Sequence, residues 1–261
     1  MRIAIFHVDA FTADKFAGNP AAVMPLPSFL DDSLLQAIAR ENNLSETAFL
    51  VPHGEDWRLR WFTPATEVPL CGHATLASAW VVTQRLDPGR QRVVFHTASG
   101  PLRVERAGER FVMDFPARHP APVEVPPGLE AALGARPVEV LHDGFNYLAL
   151  LDSADSVRRV TPDFRAISRL DAGGLVVTAP GDRGYDCVSR YFAPAKGIDE
   201  DPVTGGAHCA LTPFWTGRLG KREIRAFQAS ARGGELVCRM RDDRVELEGE
   251  CVFYMEGQAE V

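Results

Sequence analysis

The sequence predicts an α/β (α+β) chain of two similar halves, each a sheet curled around one central helix. Three observations carry this. First, the chain repeats itself: Arg60-Trp61-Phe62-Thr63-Pro64-Ala65 returns as Arg190-Tyr191-Phe192-Ala193-Pro194-Ala195, at an offset of 130. Gly72-His73-Ala74 opens a segment ending at Arg85-Leu86, and Gly205-Gly206-Ala207 opens one ending at Arg218-Leu219, at an offset of 133. Second, the segment 73–85 is apolar nearly all round and 206–218 is similarly poor in charge, the pattern of a helix buried on all sides. Third, strands outnumber helices without regular βαβ alternation, which disfavours a dinucleotide-binding sheet. The repeat is too long for a solenoid and fits a duplicated domain.

In order along the chain, strands are expected at 2–8 and 20–25. A surface helix is expected over 32–42, with Asp31 or Asp32 as N-cap and Leu34, Leu35 and Ile38 on one face. Strands follow at 46–51 and 57–63, the latter alternating apolar and basic before two aromatics. After the first central helix come strands at 91–97, 101–106 and 110–115. Pro116, Pro120, Pro122, Pro126 and Pro127 then crowd one stretch, which lacks amide donors and has fixed φ. That stretch, 117–128, is read as a linker between 1–116 and 129–261, with the C-terminal strand a candidate to complete the first half. The second helix is followed by a strand at 224–230.

Hydrophobic residues are 46% and charged residues 24% of 261, ordinary globular values that exclude a disordered or fibrous chain. The net charge of −7 argues against nucleic acid as a partner. No 18-residue apolar run exists, so no membrane span is expected. The N-terminus reads as a strand, with His7 and Asp9 interrupting what a signal peptide would need. Five dispersed cysteines without a CxxC pair suggest neither a disulfide framework nor a zinc site, and point to the cytoplasm. No GxSxG, HExxH, Walker loop or GxGxxG is present.

Three polar clusters remain in apolar surroundings. Glu46 opens an apolar strand. Position alone leaves open a solvated strand-edge carboxylate or a desolvated proton-transfer group. The Cys71-Gly72-His73 cluster sits where a buried helix begins, so bare amides could bind an anion and the helix end would act on His73. A hydrogen-bonded core histidine is the other reading. Asp199-Glu200-Asp201-Pro202-Val203-Thr204-Gly205-Gly206 holds the matching place in the second half, as an N-terminal cap or as part of a site. If the halves face each other, both helix starts could point into one cleft. Aligning Pro52 with Pro180 places Glu46 opposite Gly174, so the glutamate has no twin.

The clusters resemble the phenazine-biosynthesis PhzF-like family over nearly the whole chain. The resemblance rests on Asp9-Ala10-Phe11-Thr12, Gly18-Asn19-Pro20-Ala21-Ala22-Val23, Asn43-Leu44-Ser45-Glu46-Thr47-Ala48-Phe49, Phe62-Thr63-Pro64, Cys71-Gly72-His73-Ala74-Thr75-Leu76 and Glu200-Asp201-Pro202-Val203-Thr204-Gly205. It implies a diaminopimelate epimerase-like fold of two pseudo-symmetric domains with mainly antiparallel sheets, homodimers, and isomerases that need no cofactor or metal. It also implies Glu46 as general acid/base, with His73, Asp201, Asn19, Gly72, Thr204, Gly205 and Gly206 binding or supporting a small carboxylate substrate. One departure stands out: the phenazine enzyme carries serine at the position of Gly206, which weakens transfer of its particular substrate. Related racemases use paired cysteines. Here Cys71 stands where the first would, but no cysteine precedes Gly205, so Cys71 reads as a pocket wall. An amino-acid racemase or epimerase and a non-catalytic small-molecule binder are the alternatives.

Overall fold

The apolar N-terminus becomes β1 (Arg2–Ala10), which buries Ile3, Ile5, Val8 and Ala10. It pairs antiparallel with β2 (Asn19–Pro25), and β2 runs parallel to β3 (Glu46–His53). A parallel pair needs a crossover. Here that is α1 (Asp32–Asn42), which buries Leu35, Ile38 and Ala39 and ends where Asn43 turns left-handed at φ 49°. Leu34, expected on the apolar face, is exposed, because the buried stripe is centred on Leu35 and Ala39. β3 pairs antiparallel with β4 (Asp56–Phe62), which also pairs with β5 (Glu67–Val68). Helix α2 (Gly72–Val81) follows and continues as a π-helical turn to Leu86. β6 (Arg92–Thr97) then runs parallel to β4 and begins an antiparallel meander with β7 (Gly100–Ala107) and β8 (Arg110–Pro116).

The proline-rich stretch is more than a tether. Its β9 (Ala121–Pro122) pairs antiparallel with β10 (Glu139–His142). Between them lies α3 (Leu129–Leu133). β10 pairs with β11 (Tyr147–Leu150), and α4 (Ala154–Arg159) and α5 (Phe164–Ile167) lead to β12 (Leu175–Pro180), parallel to β11. β13 (Cys187–Ala193) is antiparallel to β12 and to β14 (Ile198–Asp201). Helix α6 (Gly205–Leu219) precedes β15 (Glu223–Gln228), which lies parallel to β13, then β16 (Gly234–Arg241) and β17 (Arg244–Glu260).

The computed structural model describes residues 1–261 and groups them into two units. The first is Met1–Asp114 with Glu248–Val261, and the second is Phe115–Leu247. The C-terminal strand enters the first unit by pairing antiparallel with β1, from Arg2 with Glu260 to Ala10 with Cys251. In that unit α2 packs on β1, β2 and β3, with Leu76, Ala77 and Val81 fully buried. Its low-charge sequence fits a helix surrounded by sheet rather than one with a wet face. In the second unit α6 packs on β15 and β16 and buries Leu211 and Trp215. No helix is long and apolar enough to cross a membrane.

The sequence repeat is a repeat of strand pairing. Across β3 and β4, Thr47 pairs with Phe62 and Phe49 with Arg60. Across β12 and β13, Leu175 pairs with Phe192 and Val177 with Arg190. Trp61 pairs with Val68 as Tyr191 pairs with Asp201. Gly174 therefore holds, within the second unit, the place Glu46 holds within the first.

Candidate active site

In the first unit, three chain segments converge at the start of α2. Parallel pairing sets Glu46 beside Ala21, so Asn19 and Glu46 open neighbouring strands. Asn19 follows Gly18, which needs its φ of 66°: a Cβ there would lie 2.3 Å from Ala10 O. His73 occupies the first turn of α2, and Cys71 is its N-cap, extended and making no side-chain cap. The side chains of Asn19, Glu46, Cys71 and His73 are all buried.

Their geometry centres on the imidazole. Asn19 Nδ2 lies 3.1 Å from His73 Nδ1, and Cys71 Sγ lies 3.4 Å from the same nitrogen. His73 Nε2 lies 3.1 Å from Glu46 Oε2. This is a close ion-pair contact rather than an aligned hydrogen bond, and neither atom has a hydrogen-bonding partner elsewhere. With Asn19 donating, neutral His73 accepts at Nδ1 and carries its proton on Nε2, facing Glu46. The imidazolium keeps that same Nε2 proton. Only 8% of Glu46 is exposed, which removes the solvated strand-edge reading. Its second oxygen, Oε1, makes no hydrogen bond within the protein.

The electrostatics follow from burial. Burial disfavours the His73 imidazolium, while Cys71 and then Glu46 favour it and prevail, lifting its pKa well above 6.5. Burial, reinforced by Glu46, pushes the Cys71 thiol up to about 11. A thiol that stays protonated brings no full charge to the imidazole, so Glu46 is the partner we credit for the rise. The donor atoms of Glu46, Cys71 and His73 lie within 4.8 Å of one another, which is metal-ligand chemistry by residue type. However, Glu46 and Cys71 approach different ring nitrogens, and an ion bound at one nitrogen cannot be shared at the other. The amides of Gly72, His73 and Ala74 precede the first helical bond, Thr75 N to Cys71 O, and stay outside the ladder.

In the second unit, Asp201 ends β14 and is also buried. Thr204 Oγ1 donates to Asp201 Oδ2 at 2.5 Å. Thr204 is the N-cap of α6, and its first helical bond runs from His208 N to Thr204 O, leaving Gly205, Gly206 and Ala207 ahead of the ladder. A Cβ at Gly206 would meet nothing within 4 Å. That leaves open space for a larger side chain at this position.

Two buried residues escaped the sequence reading. Gln228 accepts from Thr204 N at 2.8 Å and donates to Asp201 O at 2.7 Å and to Thr204 Oγ1 at 3.2 Å. Its signal was an amide in an apolar strand, AFQAS, with nothing to name its partner. His208 donates through Nδ1 to Thr204 O at 2.8 Å, and burial lowers its pKa to about 4, so it is neutral. Its Nε2 has no partner. The second histidine one turn into a helix was its only signal.

Comparison with known proteins places this geometry among relatives. A family model described as phenazine biosynthesis-like protein matches residues 8–257. An uncharacterised isomerase of Pseudomonas aeruginosa is 52% identical over 258 residues, covering 99% of this chain and 98% of that protein. A crystal structure of a PhzF-family phenazine biosynthesis protein from Enterococcus faecalis superposes with TM-score 0.96 at 42% identity, covering 100% of both chains. A predicted epimerase from Pseudomonas aeruginosa shares the fold, with TM-score 0.76 at 24% identity and 100% of both chains covered.

Proposed function

The chain belongs to the phenazine biosynthesis-like family, and from that membership we propose that it is an isomerase moving a carbon-bound proton on a small carboxylic acid, with Glu46 as general acid/base. The observation that carries the proposal is the buried Glu46–His73 contact at 3.1 Å, with Oε1 left without a protein partner. His73 Nε2 lies against one carboxylate oxygen, and the other is available to a substrate C–H.

The step balances without redox chemistry. Glu46 takes a proton from carbon, the C–H electron pair forms a new double bond, and the adjacent double bond opens onto its far carbon, which is where the proton is returned. The protonated Glu46 then returns the proton to carbon. The amide of Gly72 at the start of α2 is assigned to a substrate anionic oxygen, since helix N-termini favour such charge. Within the second unit, Thr204 holds the Asp201 carboxylate. Asn19 supports His73. Cys71 is assigned no proton transfer, because a thiol with a pKa of about 11 is a poor base at neutral pH. That weighs against a racemase that uses Cys71.

The test is deuterium wash-in from heavy water at a substrate carbon, screened over small unsaturated carboxylic acids. Replacing Glu46 with Gln should slow exchange by about 10²-fold or more, the usual contribution of a general acid/base. Exchange as fast as in the unmodified protein would remove Glu46 from the mechanism.

A further inference from the structure

The second unit holds a cationic cluster that the acid/base chemistry does not use. We propose that Arg118 and Lys196 form a carboxylate-binding subsite, seated by Tyr191 and the Gly173–Gly174 pair. It stands on the second unit alone and does not depend on the role given to Glu46.

Both cations lack a full set of partners. The Arg118 guanidinium donates no hydrogen bond within the protein. It lies over the exposed Phe145 ring, 4.6 Å from the centroid, and 3.6 Å from Asp143 Oδ2. Asp143 is already committed: Oδ1 accepts from Phe145 N and Asn146 N, and Oδ2 from Asn146 Nδ2. Lys196 Nζ donates to the Tyr191 hydroxyl at 3.1 Å, and no carboxylate pairs with it. Tyr191 in turn donates to Asn146 Oδ1 at 3.0 Å.

The backbone makes room for this arrangement. A Cβ at Gly174 would lie 2.4 Å from the Tyr191 hydroxyl. At Gly173 it would lie 3.1 Å from Lys196 Nζ and 3.1 Å from Phe145 O. Gly173 N also donates to Phe145 O. Both cations therefore border the same Asp143–Asn146 turn. They are close enough that, after burial, Arg118 is the largest influence lowering the Lys196 pKa, with Asp201 and Asp143 acting in the opposite direction. Like charges held together with open donors are relieved by an anion between them. The planar guanidinium fork and a neighbouring ammonium match a carboxylate.

The repeat adds a second argument. Gly174 stands where the first unit has Glu46. The space a side chain would take there is filled by the Tyr191 hydroxyl, with the Lys196 ammonium just beyond it. Where one half presents a carboxylate, the other presents a cation. The two halves are thus specialised, one for moving a proton and the other for holding a negative group.

Calorimetric titration of the full chain with succinate, at constant ionic strength with chloride as control, tests this. The unmodified protein should bind succinate. Lys196→Met and Arg118→Met should each weaken binding about tenfold or more, the loss expected for one charge-assisted hydrogen bond. Arg136→Met, which removes an exposed cation elsewhere in the second unit, should bind within about twofold of the unmodified protein. Unchanged binding in Lys196→Met, with its fold checked by unchanged tryptophan fluorescence, would overturn the proposal. So would no binding by the unmodified protein. Loss of binding in Glu46→Gln with retention in Lys196→Met would move the carboxylate to the first unit and refute the subsite.

Discussion

Gln228 offers the sharpest test of how the second unit holds its polar residues. Its amide ties three groups at the start of α6: it accepts from Thr204 N, donates to Asp201 O, and donates to Thr204 Oγ1, which donates to the Asp201 carboxylate. Gln228→Leu keeps the volume and removes all three bonds. Each is worth about 0.5–1.5 kcal/mol net, and a buried N–H stripped of its acceptor costs about 1–3 kcal/mol. The longest contact, 3.2 Å, contributes least. The expected loss is therefore about 2–4 kcal/mol. Gln228→Glu retains the acceptor for Thr204 N but replaces the donor by an oxygen facing Asp201 O and Thr204 Oγ1, so it should be no milder. Urea unfolding followed by tryptophan fluorescence reads this out, since Trp215 lies buried in α6. A loss below about 1 kcal/mol in Gln228→Leu would refute the view that this amide organises the helix start.

Two other predictions concern the first unit. His73 has a folded pKa raised above its ordinary 6.5, so the stability from its charged form is fully present below 6.5 and is lost as pH rises through the folded value. The stability gap between the unmodified protein and His73→Gln, measured in urea from pH 6 upward, should narrow as pH increases; a gap that widens would reverse the assignment. Gly18→Ala forces a Cβ against Ala10 O at a φ of 66° and should cost about 1–3 kcal/mol in chemical denaturation, with Asn19 displaced from His73. An unchanged midpoint would show that the loop does not hold Asn19.

Parts of this architecture were legible because they are local or repeated. The charge-poor segments at 73–85 and 206–218 become α2 and α6, since a helix without a polar face has to be enclosed. Leu35 and Ile38 mark the buried side of α1, although Leu34 was misplaced by one position on the helical wheel. Glu46 and His73 stood out as polar residues at the openings of apolar elements, and they meet at 3.1 Å. Gln228, His208, Arg118 and Lys196 were not legible as a set. Nothing in the local pattern around an isolated glutamine or a surface lysine records a partner.

The sequence by itself determined the duplication, the two enclosed helices and the candidate carboxylate, because periodicity and repetition are written in adjacent residues. The tertiary structure decided who touches whom. Strand register brings Asn19 to His73 across 54 positions and Gln228 to Thr204 across 24. It also decided that Glu46 is buried against an imidazole rather than solvated, and that Tyr191 fills the space beside Gly174 and Lys196 the space beside Gly173. The physical reason is that burial and pairing depend on packing between distant segments, and hydrogen-bond partners and desolvation follow from that packing rather than from the residue's own neighbours.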